Sequence, residues 1–192
     1  KSINKPMIGY LPKSIKIGEV SYPIRSDYRV ALTIFDALEN PDLKPISKRF
    51  IMLDAIYPTL KEIPQKYMQE AVNKAVWFLD GGKQFDDGPK QKKVMDWEQD
   101  EQYIFSAINS VAGHEVRNDE YMHWWTFLGY FYEIRDGLFS TIVNIRQKKA
   151  TGKKLEKYEQ DFYAKNKNLI DLKKKYSKEE IEERNEIEEL LK

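Results

Sequence analysis

The sequence predicts a mainly α fold: a multi-helix globular domain with a short N-terminal β-hairpin and charged C-terminal helices. Three observations lead there. Apolar residues recur at spacings of three and four over most of the 192 residues, and only one short stretch alternates with a period of two. Asn40-Pro41, Gly81-Gly82, Gly137 and Thr151-Gly152 punctuate the periodic segments where helices must stop. With 41% hydrophobic and 13% aromatic residues, the chain has enough apolar surface to offset the entropy of ordering it.

Ile15, Ile17, Val20, Tyr22 and Ile24 alternate around Gly18-Glu19, which predicts a hairpin at about 14–25 with a glycine-first two-residue turn. Ser26 or Asp27 caps a first helix through Glu39, ended by Asn40-Pro41. A second runs from Ser47 to before Pro58. A third starts at Pro64 and carries Tyr67, Met68, Ala71, Val72, Ala75, Val76 and Leu79 on one face up to Gly81-Gly82. The polar stretch 83–93, with Asp-Asp-Gly-Pro and a lysine cluster, reads as an exposed loop. Beyond it, Asp96 caps a helix to Val111, and Asn118 or Asp119 caps another to Glu133. Arg135-Asp136-Gly137 turns the chain, Leu138–Ala150 forms a further helix, and Leu155 to Tyr176 reads as helix again. Ser177 with Glu180 is a capping box for the last helix. The organisation expected is a helical core domain over 1–152, then a charged helical extension over 153–192.

The net charge of +1 hides an uneven distribution. Arg146 to Lys178 holds twelve Lys/Arg against four Asp/Glu, and Glu179 to Lys192 holds seven Glu against two Lys/Arg. With no cysteine, disulfides, thiolate metal sites and a cysteine nucleophile are excluded. No stretch approaches eighteen uninterrupted apolar residues, and Lys1 to Pro6 lacks the apolar run of a signal peptide, so neither export nor membrane insertion is expected.

Projecting the helices at 100° per residue isolates two charges on apolar faces. Asp100 falls among Trp97, Tyr103, Ile104, Ala107 and Ile108, and Arg146 among Leu138, Phe139, Ile142 and Val143. A charge withdrawn from water is costly unless paired, so Asp100 and Arg146 are expected to meet as an ion pair, the alternative being that Arg146 snorkels to solvent. The same projection puts Trp124 and Trp125 on the core face and His123 on the opposite, solvent-facing side. Asp100 and His123 are the best acid–base candidates, but a structural aspartate and a surface histidine describe them better. His114 and His123, with Glu115 or Asp119, match no zinc spacing. Gly81-Gly82-Lys83 lacks the other residues of a phosphate loop and follows a helix, so it is a C-cap. Neither a catalytic constellation nor a cofactor or metal site is expected; the protein is read as a binder and not an enzyme.

Trp124 and Trp125 would serve as interface anchors if exposed; core is the favoured reading. The lysines at 148, 149, 153, 154 and 157, with Tyr158, Phe162 and Tyr163 beside them, fit phosphate contacts and base stacking, or simply a solvated helix face. A basic helix followed by an acidic one also suits pairing between copies. Apolar stripes at Leu155, Tyr158, Phe162 and at Ile181, Ile187, Leu190, Leu191 are the candidate partner-binding residues, needing either a partner or a fold-back.

The run Asp96-Trp97-Glu98-Gln99-Asp100-Glu101-Gln102-Tyr103-Ile104-Phe105-Ser106-Ala107-Ile108, then Met122-His123-Trp124-Trp125-Thr126-Phe127, then Phe139 through Arg146, resembles a family of small phage proteins of the tail gene module. That family shows Asp-x-x-Tyr-Ile-x-x-Ala, Leu-His-Trp-Trp-x-Phe and a helix ending in arginine, in this order. The resemblance covers about Ile15 to Leu172, and the charged tail lies outside it. Two places depart: Gly113-His114-Glu115-Val116 stands where the family often has Tyr-Gly-Ile-Asp-Leu, and Thr126 replaces a usual basic residue. The gene usually lies between those of the major tail protein and the tape-measure protein. The resemblance therefore implies a tail assembly chaperone in the bacterial host cytoplasm, with the tape-measure and tail-tube proteins as partners and self-association along them. A structural component retained in the tail is the alternative, and a nucleic-acid-binding accessory protein a second one.

Overall fold

The computed structural model describes residues 8–83 and 92–190, so most of the loop read between 83 and 93 lies outside the described residues. The fold is mainly α, with one two-stranded antiparallel hairpin and nine helices among the described residues. No described helix is long and apolar enough to cross a membrane. The chain divides into two compact units, Lys1–Gly82 with Lys174–Lys192, and Lys83–Lys173.

In the first unit β1 (Ser14–Ile17) pairs with β2 (Val20–Pro23), with Ile17 opposite Val20 and Ile15 opposite Tyr22. Ile15, Ile17, Tyr22 and Ile24 are buried, as the alternation requires, but Val20, the residue after the turn, is 54% exposed. Gly18 has φ +57° while no described non-glycine residue has positive φ, the signs of a type II′ turn. Its amide donates to Glu70 at 3.2 Å, and a β-carbon there would lie 2.7 Å from the Tyr67 ring. Gly18→Ala is expected to destabilise by about 2 kcal/mol, combining positive-φ strain with displacement of the ring. Urea denaturation checks this; a change below about 0.5 kcal/mol would mean that the turn relaxes freely.

Helix α1 (Tyr28–Glu39) is capped by Asp27, which accepts from the Arg29 amide at 2.9 Å, and stops at Asn40 before Pro41. Helix α2 (Pro45–Ile56) starts two residues ahead of Ser47, because a proline at the first helical position has no amide hydrogen to leave unsatisfied. Between α2 and α3 (Met68–Leu79) the chain makes two 3₁₀ turns, Leu60–Glu62 and Gln65–Tyr67, so the helix expected from Pro64 becomes α-helical only at Met68. Ala71 and Ala75, one turn apart, are fully buried, and the buried Tyr57 hydroxyl donates to the Ala71 carbonyl at 3.0 Å.

In the second unit Asp96 accepts from the amides of Glu98 and Gln99, capping a preliminary turn. Helix α4 (Glu101–Ala112) therefore begins later than expected and leaves Asp100 at its N-cap position. The helix expected from Asn118 or Asp119 is shorter: Val116–Asn118 is a 3₁₀ turn capped by Glu115, and α5 (Trp124–Tyr132) is capped by His123. Helix α6 (Leu138–Thr151) matches expectation. The single helix expected over 155–176 is instead α7 (Lys157–Lys165) and the one-turn α8 (Lys167–Ile170), followed by extended chain. The Gln99 side chain clamps that chain, donating to the Asp171 carbonyl and accepting from the Lys173 amide, so helical bonding cannot continue. Residues 157–170, read from composition as part of a charged extension, pack within this unit: Ile170 joins Ile142 and Ile145 in its core.

The last segment belongs to the first unit. Lys175 pairs with Glu39 at 3.6 Å, and the Lys178 amide donates to Asp42 at 2.7 Å. Ser177 and Glu180 form the expected capping box at the start of α9 (Lys178–Leu190).

Candidate functional site

Asp100 is fully buried and Arg146 is 5% exposed. Arg146 Nη1 donates to Asp100 Oδ2 at 2.6 Å, and Nη2 donates to Oδ1 at 2.9 Å, a bidentate pair. Nε donates to the Ile170 carbonyl, Nη1 to Val94 and Nη2 to Leu169, so all five N–H directions of the guanidinium are used. Asp100 Oδ2 also accepts from the Asp96 amide at 2.9 Å. One side chain thus ties α4, α6, the end of α8 and the segment before Trp97. The function of this site is to position the rest of the unit.

The aromatic cluster packs beside it. Trp124 is fully buried, stacked on Phe127 at 5.7 Å and edge-on to Trp97 at 6.2 Å; Trp125 is only half-buried. His123 corrects the projection, for it is 3% exposed and not solvent-facing. It precedes the helix, so helical angles do not apply to it, and its Nδ1 accepts from the Trp125 amide at 3.0 Å. Asp100 and His123 are thereby each committed to a structural contact.

His114, the other histidine, bridges the end of α4 to the next turn. Nε2 lies 3.0 Å from Asp119 Oδ2, and Nδ1 lies 3.2 Å from the Ala112 carbonyl. Both partners are acceptors, so both ring nitrogens donate only in the imidazolium form, and the bond to Asp119 raises the pKa above its ordinary value. A raised pKa gives stability that is fully present below pH 6.5, the ordinary value, and is lost as pH rises through the folded value. NMR titration should show His114 titrating above a free histidine, and Asp119→Asn should bring it down; an unchanged midpoint in that variant would exclude this pairing.

The basic block is partly spent within the unit. Lys148 reaches both oxygens of the buried Glu159, at 2.7 and 2.8 Å, which raises the lysine pKa and lowers that of the carboxyl. Lys149 pairs with Asp171 at 2.6 Å and lies 3.7 Å from the centre of the Tyr163 ring. Lys153, Lys154 and Lys157 remain exposed. Of the candidate partner-binding residues, Leu155 and Phe162 are half-buried against Ile142, Ile145 and Ile170 and so serve the fold. Tyr158, Ile181 and Ile187 are exposed, at 66%, 47% and 55%. The side chain of Leu190 and all of Leu191 lie outside the described residues.

A larger apolar feature escaped the sequence reading. In the first unit α2, α3 and the turns between them enclose a groove of about 580 Å³, floored by Leu53, Leu60, Ile63 and Met68. Ile46 and Phe50, one turn apart on α2, stand on its wall 69% and 61% exposed, with Arg49, Asp54 and Lys61 at the rim. The signal was present: α2 is apolar on more than one face, with Ile46 and Phe50 outside the set Met52, Leu53 and Ile56 that it buries. A concave apolar wall with few charges suits a helix laid into it.

The model of the protein family described as Bacteriophage Gp15 protein matches residues 7–172. No curated protein and no solved structure matches. The match stops short of α9.

Proposed function

The chain belongs to the bacteriophage Gp15 protein family, and we propose that it acts as a tail assembly chaperone, holding apolar helical segments of the tape-measure protein in the host cytoplasm until tail-tube subunits are recruited. The observation that carries this reading is the α2–α3 groove with Ile46 and Phe50 exposed on its wall. An isolated apolar side chain on a surface is ordinary, but a contiguous apolar wall over a groove is the usual footprint of a partner. Its apolar lining suits one face of an amphipathic helix read at i, i+3 and i+4. Such a surface would shield a long apolar protein from aggregating before assembly. The pairing of Lys148 and Lys149 with carboxylates weakens the nucleic-acid alternative, because two of the block's cations are already neutralised.

Co-expression with the tape-measure protein of the same phage tests the proposal. The tape-measure protein should stay soluble and co-purify with the chain, and Phe50→Glu should abolish both effects. A tape-measure protein that remains insoluble beside the chain would remove the basis of the reading. Proteomics of purified virions separates a chaperone, which is absent, from a retained tail component, which is stoichiometric.

A further inference from the structure

We propose that the groove between α2 and α3 is covered, before any client arrives, by α9 of a second copy of this chain. Two observations lead to it from opposite sides.

The first is α9 itself. It is a 13-residue helix on which residues 178–187 are all exposed, Ile181 and Ile187 among them. Helices of this length are marginal in water without tertiary packing, and residues 178–187 supply none of the burial that would hold this one. Its fixed points lie in its first half: the Lys178 amide on Asp42, the capping box at Ser177 and Glu180, and Arg184 4.6 Å from the centre of the Tyr176 ring. These fix its departure and leave Ile187 uncovered.

The second is the groove, which has apolar walls and carries two cations, Arg49 and Lys61, against one carboxylate, Asp54. The occupant it favours is a helix that carries an isolated aliphatic side chain among carboxylates. That describes α9, with seven glutamates against Lys178 and Arg184. Ile187 would enter beside Phe50, with glutamates such as Glu183 and Glu186 facing Arg49 and Lys61. Docking one patch onto a different patch of the next copy is a heterologous contact, which propagates along a line or closes a ring. Only the displacement of α9 by a client rests on the chaperone reading; the docking itself does not.

The test uses the full chain alone. Light scattering coupled to size exclusion, over a range of concentrations, should show self-association that weakens at least about tenfold in Phe50→Glu and in Ile187→Glu. Both side chains are exposed, so neither change touches the core, and far-UV circular dichroism checks that the fold persists. Mixing the two variants should restore a one-to-one complex, since one keeps an intact α9 and the other an intact groove. A wild-type chain that stays monomeric up to about 1 mM would overturn the proposal. So would self-association indifferent to Ile187→Glu, or a mixture that restores nothing. None of these results depends on whether the tape-measure protein is the client.

Discussion

Arg146→Ala is expected to lower the unfolding free energy by about 3–5 kcal/mol, the range seen when one partner of a buried ion pair is removed. The change leaves the fully buried Asp100 carboxylate without its counter-charge and strands the Val94, Leu169 and Ile170 carbonyls that the guanidinium now satisfies. Asp100→Ala should cost less, because the guanidinium keeps those three carbonyl acceptors, although it loses its counter-charge and the Asp96 amide loses its acceptor. A double change to well-packed apolar residues removes both charges, yet the carbonyls remain unpaired, so it should recover part of the loss and not all of it. Arg146→Lys should also fail, since a single ammonium cannot replace a fork that reaches five oxygens on three segments. Urea denaturation of the four variants gives the order, and an Arg146→Ala loss below about 1 kcal/mol would mean that water reaches the guanidinium.

The pair itself was legible because helical projection finds charges that sit on apolar faces, and only a partner makes such a placement affordable. Its contacts with the Leu169 and Ile170 carbonyls were not legible, because they depend on where the chain after α7 turns. That stretch reads as continuous helix by composition. It breaks first at Asn166, between α7 and α8, and what keeps it from resuming after Ile170 is a side chain 72 residues away, Gln99, which donates to the Asp171 carbonyl and accepts from the Lys173 amide. Local propensity carries no trace of such a clamp. The hairpin and the Asp27 and Ser177 caps were readable for the opposite reason: each is decided within a few residues, by a glycine with positive φ or a side chain meeting a nearby amide.

The same distinction explains the misplaced histidine. Projecting His123 on a helix that starts at Asp119 turns it outward. Once Glu115 caps the 3₁₀ turn and Asp119 is held by His114, the helix cannot start until Trp124, and His123 becomes its cap. A shift of a few residues at a helix start thus moves a side chain from the surface to the interior. The groove was missed differently: α2 has apolar residues on several faces, and sequence alone does not tell which of them the fold will cover. The groove therefore became visible only when Ile46 and Phe50 were left over from the core.

Trp124→Ala should destabilise by about 3–5 kcal/mol, the range for emptying a buried aromatic site, whereas Trp125→Ala should cost less than half as much. The two adjacent tryptophans differ because α5 turns them about 100° apart. Trp124 is fully buried between Phe127 and Trp97, and Trp97 in turn lies 5.3 Å from Phe131. Removing Trp124 therefore opens a cavity between two other rings, Phe127 and Trp97, that are already packed against their own neighbours. Trp125 is half-buried, with its ring edge-on to His123 at 6.0 Å, so its loss exposes one face of the helix cap and leaves the interior intact. Thermal unfolding of the two variants separates them, with the Trp124 variant melting several degrees lower. Equal losses would place the two indoles in equivalent surroundings and contradict this packing. A Trp125→Ala chain that keeps its stability but loses a partner would shift attention from the α2–α3 groove to the exposed side of α5.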